Sequence, residues 1–283
     1  VLPFYVREQI RLAMEEDIGL GDITTEAMVV SEARTVGFIK VKEPGVIAGL
    51  FVLDEVYRFL SSEIHIEYLV KDGDEVVPGQ VVAKIFGPAE VILMGERVAL
   101  NYLQFLSGIA TKTRRIIERV KDYPVRVVDT RKTVPGLRWL SKYAVRVGGG
   151  FNHRFNLSDG ILIKDNHIKA AGGIREAVAR ARRYAPHTLK IEVEVESLAE
   201  LKEAMEAGAD IVMLDNMSPA KVKEAKIITR GKVLLEASGG INEENILEYA
   251  KAGVDIISLG ALTHSVKALD LSLDLGSLKE SGQ

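Results

Sequence analysis

Lys190-Ile191-Glu192-Val193-Glu194-Val195-Glu196 alternates charged with branched apolar residues. A strand turns successive side chains to opposite faces, so the isoleucine and valines share one face and the charges the other. With the apolar face packed on an outer layer of helices, Lys190, Glu192 and Glu194 point into an enclosed lumen. Carboxylates in such a place must be paired or bind something.

Short apolar stretches of the same kind recur at residues 125–130, 160–165, 210–215, 233–238 and 254–260. Helix-periodic stretches lie between the later ones, at 174–184, 197–207, 219–228 and 243–252. Two of these end in the Ala-Gly stops Ala207-Gly208 and Ala252-Gly253. Apolar strands alternating with helices predict a parallel sheet covered on both faces, either doubly wound or closed as a barrel. The polar residues favour the barrel, whose chemistry gathers where strands end. Nearly every strand here ends so: Asp129-Thr130-Arg131-Lys132, Lys164-Asp165-Asn166-His167, Glu192 with Glu194 and Glu196, Asp215-Asn216, Ser238-Gly239-Gly240 and Gly260.

The first 105 residues differ. Residues 5–17 are an expected amphipathic helix, 36–41 a strand, 50–60 a helix and 63–70 a strand, with long helical patterns at 89–107 and 111–121. Between them, Val70-Lys71-Asp72-Gly73-Asp74-Glu75-Val76-Val77-Pro78-Gly79-Gln80-Val81-Val82 is similar to half of a biotinyl or lipoyl carrier domain. Phe86-Gly87-Pro88 and a helix follow where a carrier would present its lysine, so the segment predicts a β-hammerhead element with no attachment site. The expected architecture is an N-terminal α+β sandwich-like domain over 1–105, followed by a TIM-like α/β barrel over 106–283, open or incomplete. The apolar stretch 268–275 either closes the barrel or returns to the first domain, and the segment after Leu275 is expected to fray.

The 283 residues are 47% hydrophobic and 27% charged, enough to build a sizeable core and incompatible with general disorder. No cysteine is present, which excludes disulfides, thiolate metal sites and a cysteine nucleophile. No start signal pattern and no long apolar run are found, so a cytoplasmic protein away from membranes is expected. Net charge is −3, which argues against nucleic acid, yet residues 111–154 hold twelve bases against three acids. That local excess suggests a site for a polyanionic small molecule or an acidic partner. Arg114, Arg115, Arg119 and Lys121 alternate around a helix and are expected to be solvated. Arg131 and Lys132 follow a strand end, and His153-Arg154 follow Gly148-Gly149-Gly150, where missing side chains let the backbone approach a ligand.

Glu236-Ala237-Ser238-Gly239-Gly240-Ile241 and Ser258-Leu259-Gly260-Ala261-Leu262 put glycines after two late strands, expected as the seventh and eighth of a barrel. Such turns cradle a phosphate on backbone N–H groups, helped by a following helix N-terminus. A helix cap accounts for Asp165 and Asn166 but leaves Lys164 an unexplained base near a strand end. Asp215 and Glu194 suit Mg2+, through water, or sugar hydroxyls. No tight His/Asp/Glu spacing suggests zinc or iron.

These residues together resemble the quinolinate phosphoribosyltransferase family. The resemblance spans nearly the whole chain: Glu16-Asp17, Gly21-Asp22-Ile23-Thr24-Thr25, Glu96-Arg97-Val98-Ala99-Leu100-Asn101, Leu106-Ser107-Gly108-Ile109-Ala110-Thr111 and Asp129-Thr130-Arg131-Lys132-Thr133-Val134-Pro135-Gly136. It continues through Gly148-Gly149-Gly150, Asn152-His153-Arg154, Leu162-Ile163-Lys164-Asp165-Asn166-His167 and Glu236-Ala237-Ser238-Gly239-Gly240-Ile241. It implies transfer of phosphoribosyl from phosphoribosyl pyrophosphate to quinolinate, with Mg2+, giving nicotinate mononucleotide, pyrophosphate and CO2 in NAD biosynthesis. It places Thr130, Arg131, His153, Arg154 and Lys164 around the quinolinate dianion, joined by Arg97 from a neighbouring subunit. That sharing implies a homodimer or a higher homo-oligomer. Lys132 would meet pyrophosphate, and Glu194 and Asp215 the ribose and the metal. Ser238, Gly239, Gly240, Leu259, Gly260, Ala261 and His264 would hold phosphoribosyl pyrophosphate at its 5′-phosphate. Lys132, Lys164, Glu194 and Asp215 are the expected catalytic groups.

Alternatives stand beside this reading. A molybdate-associated relative shares part of the pattern. A phosphoribosyltransferase for a monocarboxylate such as nicotinate would need fewer cations. A barrel sugar-phosphate aldolase or isomerase would use Lys164 or Lys190 as a Schiff-base amine. An anion-binding or carrier module would rest on residues 70–82.

Overall fold

The computed structural model describes residues 2–29 and 33–277; the tail expected to fray lies outside them from 278 onward. In chain order the elements begin with α1 (Phe4–Ile18), α2 (Ile23–Met28), β1 (Arg34–Val41), β2 (Gly45–Val46), α3 (Phe51–Leu60), β3 (His65–Tyr68), β4 (Glu75–Val76), β5 (Val81–Pro88) and α4 (Ala89–Val120). They continue with β6 (Arg126–Val128), α5 (Arg138–Val147), β7 (Ile161–Ile163), α6 (Asp165–Ala171), α7 (Ile174–Tyr184), β8 (Ile191–Val195), α8 (Leu198–Glu206) and β9 (Ile211–Asp215). Last come α9 (Pro219–Thr229), β10 (Leu234–Ser238), α10 (Ile246–Lys251), β11 (Ile256–Ser258), α11 (Ala261–His264) and β12 (Leu271–Leu275). Among the described residues no helix is long and apolar enough to cross a membrane.

Contacts divide the chain into one unit of residues 1–112, 134–148 and 266–283 and a second of 113–133 and 149–265. The first holds a four-stranded antiparallel sheet ordered β12-β1-β5-β3 and the small pair β2-β4. The stretch 268–275 therefore returns to this unit, where its β12 is an edge strand with Ile39 opposite Leu273. The sequence patterns at 89–107 and 111–121 form one helix rather than two. Gly108 does not break it: a Cβ there would lie 2.3 Å from the Lys267 carbonyl, so the glycine serves close packing. Residues 134–148 belong to this unit because aromatic side chains hold them. Phe51 meets Trp139 and Tyr143 edge-on at 6.1 and 5.2 Å. The Tyr143 hydroxyl donates to Asp72, whose carboxylate also accepts the Gly49 and Leu50 N–H groups.

Several stretches that carry the family resemblance serve the first unit's architecture. Asp22 caps α2 by accepting the Thr25 N–H. The Ser107 and Thr111 hydroxyls accept the N–H groups of Ala48 and Val46, tying the loop around β2 to α4.

The second unit is an α/β barrel-like fold with one all-parallel sheet, ordered β6-β11-β10-β9-β8-β7. It has six strands rather than the eight that the phosphate-turn expectation assumed, so the glycine turns follow its fifth and sixth strands in chain order, β10 and β11. The register puts Ile191, Val193, Val195, Val212, Leu214, Leu235, Ala237 and Ile257 on one face, all buried. These pack beneath helices, as the alternation in β8 predicts. The opposite face carries Glu192, Glu194, Met213, Asp215, Glu236, Ser238 and Ser258. Lys190 is the exception to the expected lumen set. It lies before β8, exposed, at the end opposite the strand C-termini, and has no part in chemistry there.

Candidate active site

The polar side chains of the second unit gather at the C-terminal ends of its parallel strands, the face where barrel chemistry resides. At the end of β6, Asp129 is fully buried and accepts the Asn152 amide at 2.6 Å and the His153 N–H at 2.9 Å. Phe151 bridges to Val128 and donates its N–H to the Val127 carbonyl. The chain after Gly148-Gly149-Gly150 thus returns alongside β6, bringing His153-Arg154 next to Thr130-Arg131-Lys132. The Thr130 hydroxyl accepts the Lys132 N–H at 3.0 Å, turning the chain beyond the strand.

Arg154 donates from Nη1 to the Gly160 carbonyl at 2.9 Å, just before β7. Burial, then the Arg131 charge, hold its guanidinium below the usual arginine range. Two guanidinium groups thus lie close enough to repel one another in a half-buried place.

Lys164 ends β7 and pairs across to Glu194 on β8. The base that a cap could not explain therefore has a carboxylate partner. The cap itself is made differently from the expectation: the His167 Nδ1 accepts the Lys164 N–H, and Asp165 pairs with Lys169 at 3.1 Å. Asp215 ends β9 and accepts the Asn216 side-chain amide at 2.8 Å.

The glycine turns depart from the expected helix-assisted cradle. After Gly240 the next helix starts only at Ile246, and after Gly260 comes the single turn of α11. Any phosphate must then rest on turn backbone. Gly239 has φ +91° and a Cβ there would fall 2.2 Å from Asn216 Oδ1, so only glycine fits. At Gly260 a Cβ would sit 3.0 Å from both Lys132 Cδ and the His264 ring. Lys132 and His264 thus flank the turn of Leu259, Gly260 and Ala261, and the Thr263 hydroxyl donates to the Lys132 carbonyl at 2.7 Å.

Of the site residues read from the sequence, all but one fall within this unit. Arg97 lies on α4 in the first unit, its side chain 58% exposed. Arg119 and Lys121, expected to be solvated, make exposed pairs with Glu243 and Glu118. Sequence reasoning put Glu192 in the lumen but missed its companions. His153 Nε2 lies 3.2 Å from Glu192 Oε2 and 3.6 Å from Glu236 Oε2, both carboxylates being buried. Burial, then the Glu192 charge, push the Glu236 carboxyl up to about 8. The signal available was the alternation in β10, which turns Glu236 the same way as Ser238.

Residues 22–107 match the N-terminal domain of quinolinate phosphoribosyl transferase, and residues 109–274 match its C-terminal domain. The chain belongs to the quinolinate phosphoribosyl transferase family. It is 47% identical over 266 residues, 94% of this chain and 92% of the relative, to the probable nicotinate-nucleotide pyrophosphorylase (carboxylating) of Bacillus subtilis. It is 44% identical to the nicotinate-nucleotide pyrophosphorylase (carboxylating) of Mycobacterium leprae, covering 95% and 96% of the two chains. The solved nicotinate-nucleotide pyrophosphorylase of Francisella tularensis superposes with a TM-score of 0.94 at 42% identity, covering 98% of each chain.

Proposed function

We propose that the strand ends of the second unit carry out the family's reaction: quinolinate takes the phosphoribosyl group of phosphoribosyl pyrophosphate, and nicotinate mononucleotide, pyrophosphate and CO2 leave. Membership of the family makes the chain a phosphoribosyltransferase of NAD biosynthesis. What carries the assignment of roles is the gathering of Arg131, Arg154 and Lys164 with Glu194, Asp215 and two glycine turns at one end of one parallel sheet.

Quinolinate is a dianion, so its site must supply several cations. Arg131, Arg154 and Lys164 serve its carboxylates with the Thr130 hydroxyl, and His153 supports them through the Arg154 backbone. Arg97 reaches the acid of a second subunit, making the working form a homodimer or a larger assembly. Lys132 meets the pyrophosphate. Ser238, Gly239, Gly240, Leu259, Gly260, Ala261 and His264 receive the 5′-phosphate, and Glu194 and Asp215 the ribose hydroxyls. With phosphorylated substrates, the cytoplasm is the natural compartment.

The pyridine nitrogen already has its lone pair and needs no strong base. It bonds to the ribose C1′ as the C1′–O bond breaks and pyrophosphate departs with those electrons. Glu194 and Asp215 face the positive charge that develops on the sugar, and Lys132 the negative charge that develops on the leaving group. Alignment and charge complementarity together supply about 10 kcal/mol in such sites. The alkylated, cationic ring then accepts the electron pair of the C2–carboxylate bond, CO2 leaves, and a proton replaces it at C2. Lys164 orients that carboxylate, exchanging Glu194 for substrate.

The donor set suits Mg2+. Glu194 and Asp215 offer hard oxygens from neighbouring strands, with one oxygen of each engaged by Lys164 or Asn216. Two carboxylates are too few for a closed cage and fit an ion that keeps waters and substrate phosphates. When bound there, Mg2+ neutralises phosphate charge.

The test is acceptor kinetics of Arg131→Ala and Arg154→Ala. The KM for quinolinate should rise about tenfold or more, with that for phosphoribosyl pyrophosphate within about twofold, and nicotinate should be a poor acceptor throughout. An unchanged quinolinate KM in both variants would refute the dianion site.

A further inference from the structure

Two buried carboxylates of the second unit have no part in the steps above. Glu192 on β8 and Glu236 on β10 are 5% and 2% exposed, and each has its Oε1 buried without a hydrogen-bond partner. Their Oε2 atoms converge on one atom, His153 Nε2. Met213 of β9 stands level with Glu236, and the Ser258 hydroxyl of β11 is beside it.

Hydrogen counting decides the state of this cluster. The Arg154 N–H donates to His153 Nδ1 at 2.8 Å, so Nδ1 holds a lone pair and the neutral ring's hydrogen sits on Nε2. That hydrogen serves one acceptor, and Glu192 is nearer. The Glu192 charge is also faced by the Arg154 guanidinium. Glu236 has only the Ser258 hydroxyl beside it and no guanidinium, so an ionised carboxylate so placed would be a buried charge with no cation assigned to it. The same count argues against a metal ion, although the three side chains offer ligand atoms within 4.8 Å of one another. A ring whose Nδ1 accepts a hydrogen bond has no lone pair free on Nε2.

We propose that Glu236 is a positioning residue that stays protonated, donates to the Glu192 side of the cluster and so fixes His153 as its Nε2–H form, whose Nδ1 holds the Arg154 backbone in place for quinolinate. This rests on the proposed role of Arg154. The arrangement is a relay of position, not of protons: Glu236 touches no substrate, and its neutral form keeps Glu192 from being pushed off the ring.

The experiment joins kinetics of Glu236→Leu and Glu236→Gln to 15N NMR of the histidine rings in the substrate-free enzyme, with the His153 signal assigned by its loss in His153→Asn. Glu236→Leu should raise the KM for quinolinate about tenfold and leave that for phosphoribosyl pyrophosphate within about twofold, while Glu236→Gln, which keeps a neutral donor, recovers to within about threefold of wild type. His153 should be the neutral Nε2–H form in wild type and Glu236→Gln. Damage from Glu236→Gln equal to that from Glu236→Leu would mean that Glu236 works as an anion and would overturn the proposal. So would an imidazolium or an Nδ1–H ring in wild type. If Glu236→Leu fails to fold, Glu236→Gln and the ring spectrum still decide. Because the spectrum needs no turnover, it stands apart from the reaction assignment: a wild type inactive on quinolinate would refute that assignment and leave the ring state legible.

Discussion

The Lys164 ammonium at the end of β7 is ion-paired with the Glu194 carboxylate on β8. This one contact joins the group assigned to the departing carboxylate with the group assigned to the ribose. On the proposed assignments, the two substrates meet at this ion pair, and each changes the partner that the other finds. Lys164→Ala should lower kcat/KM with quinolinate about 10²–10³-fold. The side chains are 46% and 16% exposed, so the pair adds little stability, and Tm should move by no more than about 4 °C. Steady-state kinetics with calorimetry checks both; near-normal turnover would remove Lys164 from the mechanism.

Glycine substitution in the turns should injure one substrate only. Gly260→Ala places a methyl group 3.0 Å from Lys132 Cδ and the His264 ring, and should raise the KM for phosphoribosyl pyrophosphate about tenfold with little change in Tm. Gly239→Ala adds strain at φ +91° and a clash with Asn216, so it should also lose about 1–3 kcal/mol of stability. An equal rise in the quinolinate KM would argue against a separate phosphate turn.

Stability should carry the signature of Glu236. Its carboxyl is raised from the usual 4.5 to about 8 by burial and by Glu192 from β8, opposed by His153 from the glycine loop and by the Ser258 hydroxyl from β11. The folded chain then keeps a proton that the unfolded chain releases over that range. The contribution is complete below about pH 4.5, falls as pH rises, and levels off above about pH 8. Glu236→Gln cannot titrate. Its Tm relative to wild type should rise between about pH 5 and 8, and a constant difference would contradict the shift.

The proposed sharing of Arg97 between subunits predicts complementation. Arg97→Ala and Lys164→Ala, each nearly inactive alone, should regain about a quarter of wild-type activity after mixing and subunit exchange, because half the dimers then contain one intact site. No recovery after proven exchange would place Arg97 outside the partner's site.

The local half of the fold was legible in the sequence. The alternation at 190–196 became β8, and every strand read after residue 123 became part of the parallel sheet, because burial on two faces leaves a mark on each short segment. What depended on distant partners was not. Nothing local says that Gly108 sits inside a continuous helix, since the reason is the Lys267 carbonyl. Nor does the composition of residues 134–148 reveal their packing on Phe51. In the site, Lys164 and Glu194 were each visible as charges at strand ends, but their pairing needed the register of β7 on β8. The His153–Glu192–Glu236 cluster draws on three separate segments, so no spacing could announce it.

On the proposed assignment, this barrel end joins quinolinate to phosphoribose and expels its C2 carboxylate in the same catalytic cycle. The direct measurement supplies quinolinate labelled at that carboxylate, with phosphoribosyl pyrophosphate and Mg2+, and counts labelled CO2 and nicotinate mononucleotide in one reaction. One labelled CO2 should appear for each nucleotide throughout the time course. Nucleotide formed without labelled CO2, or no nucleotide from quinolinate while nicotinate reacts, would contradict the assignment.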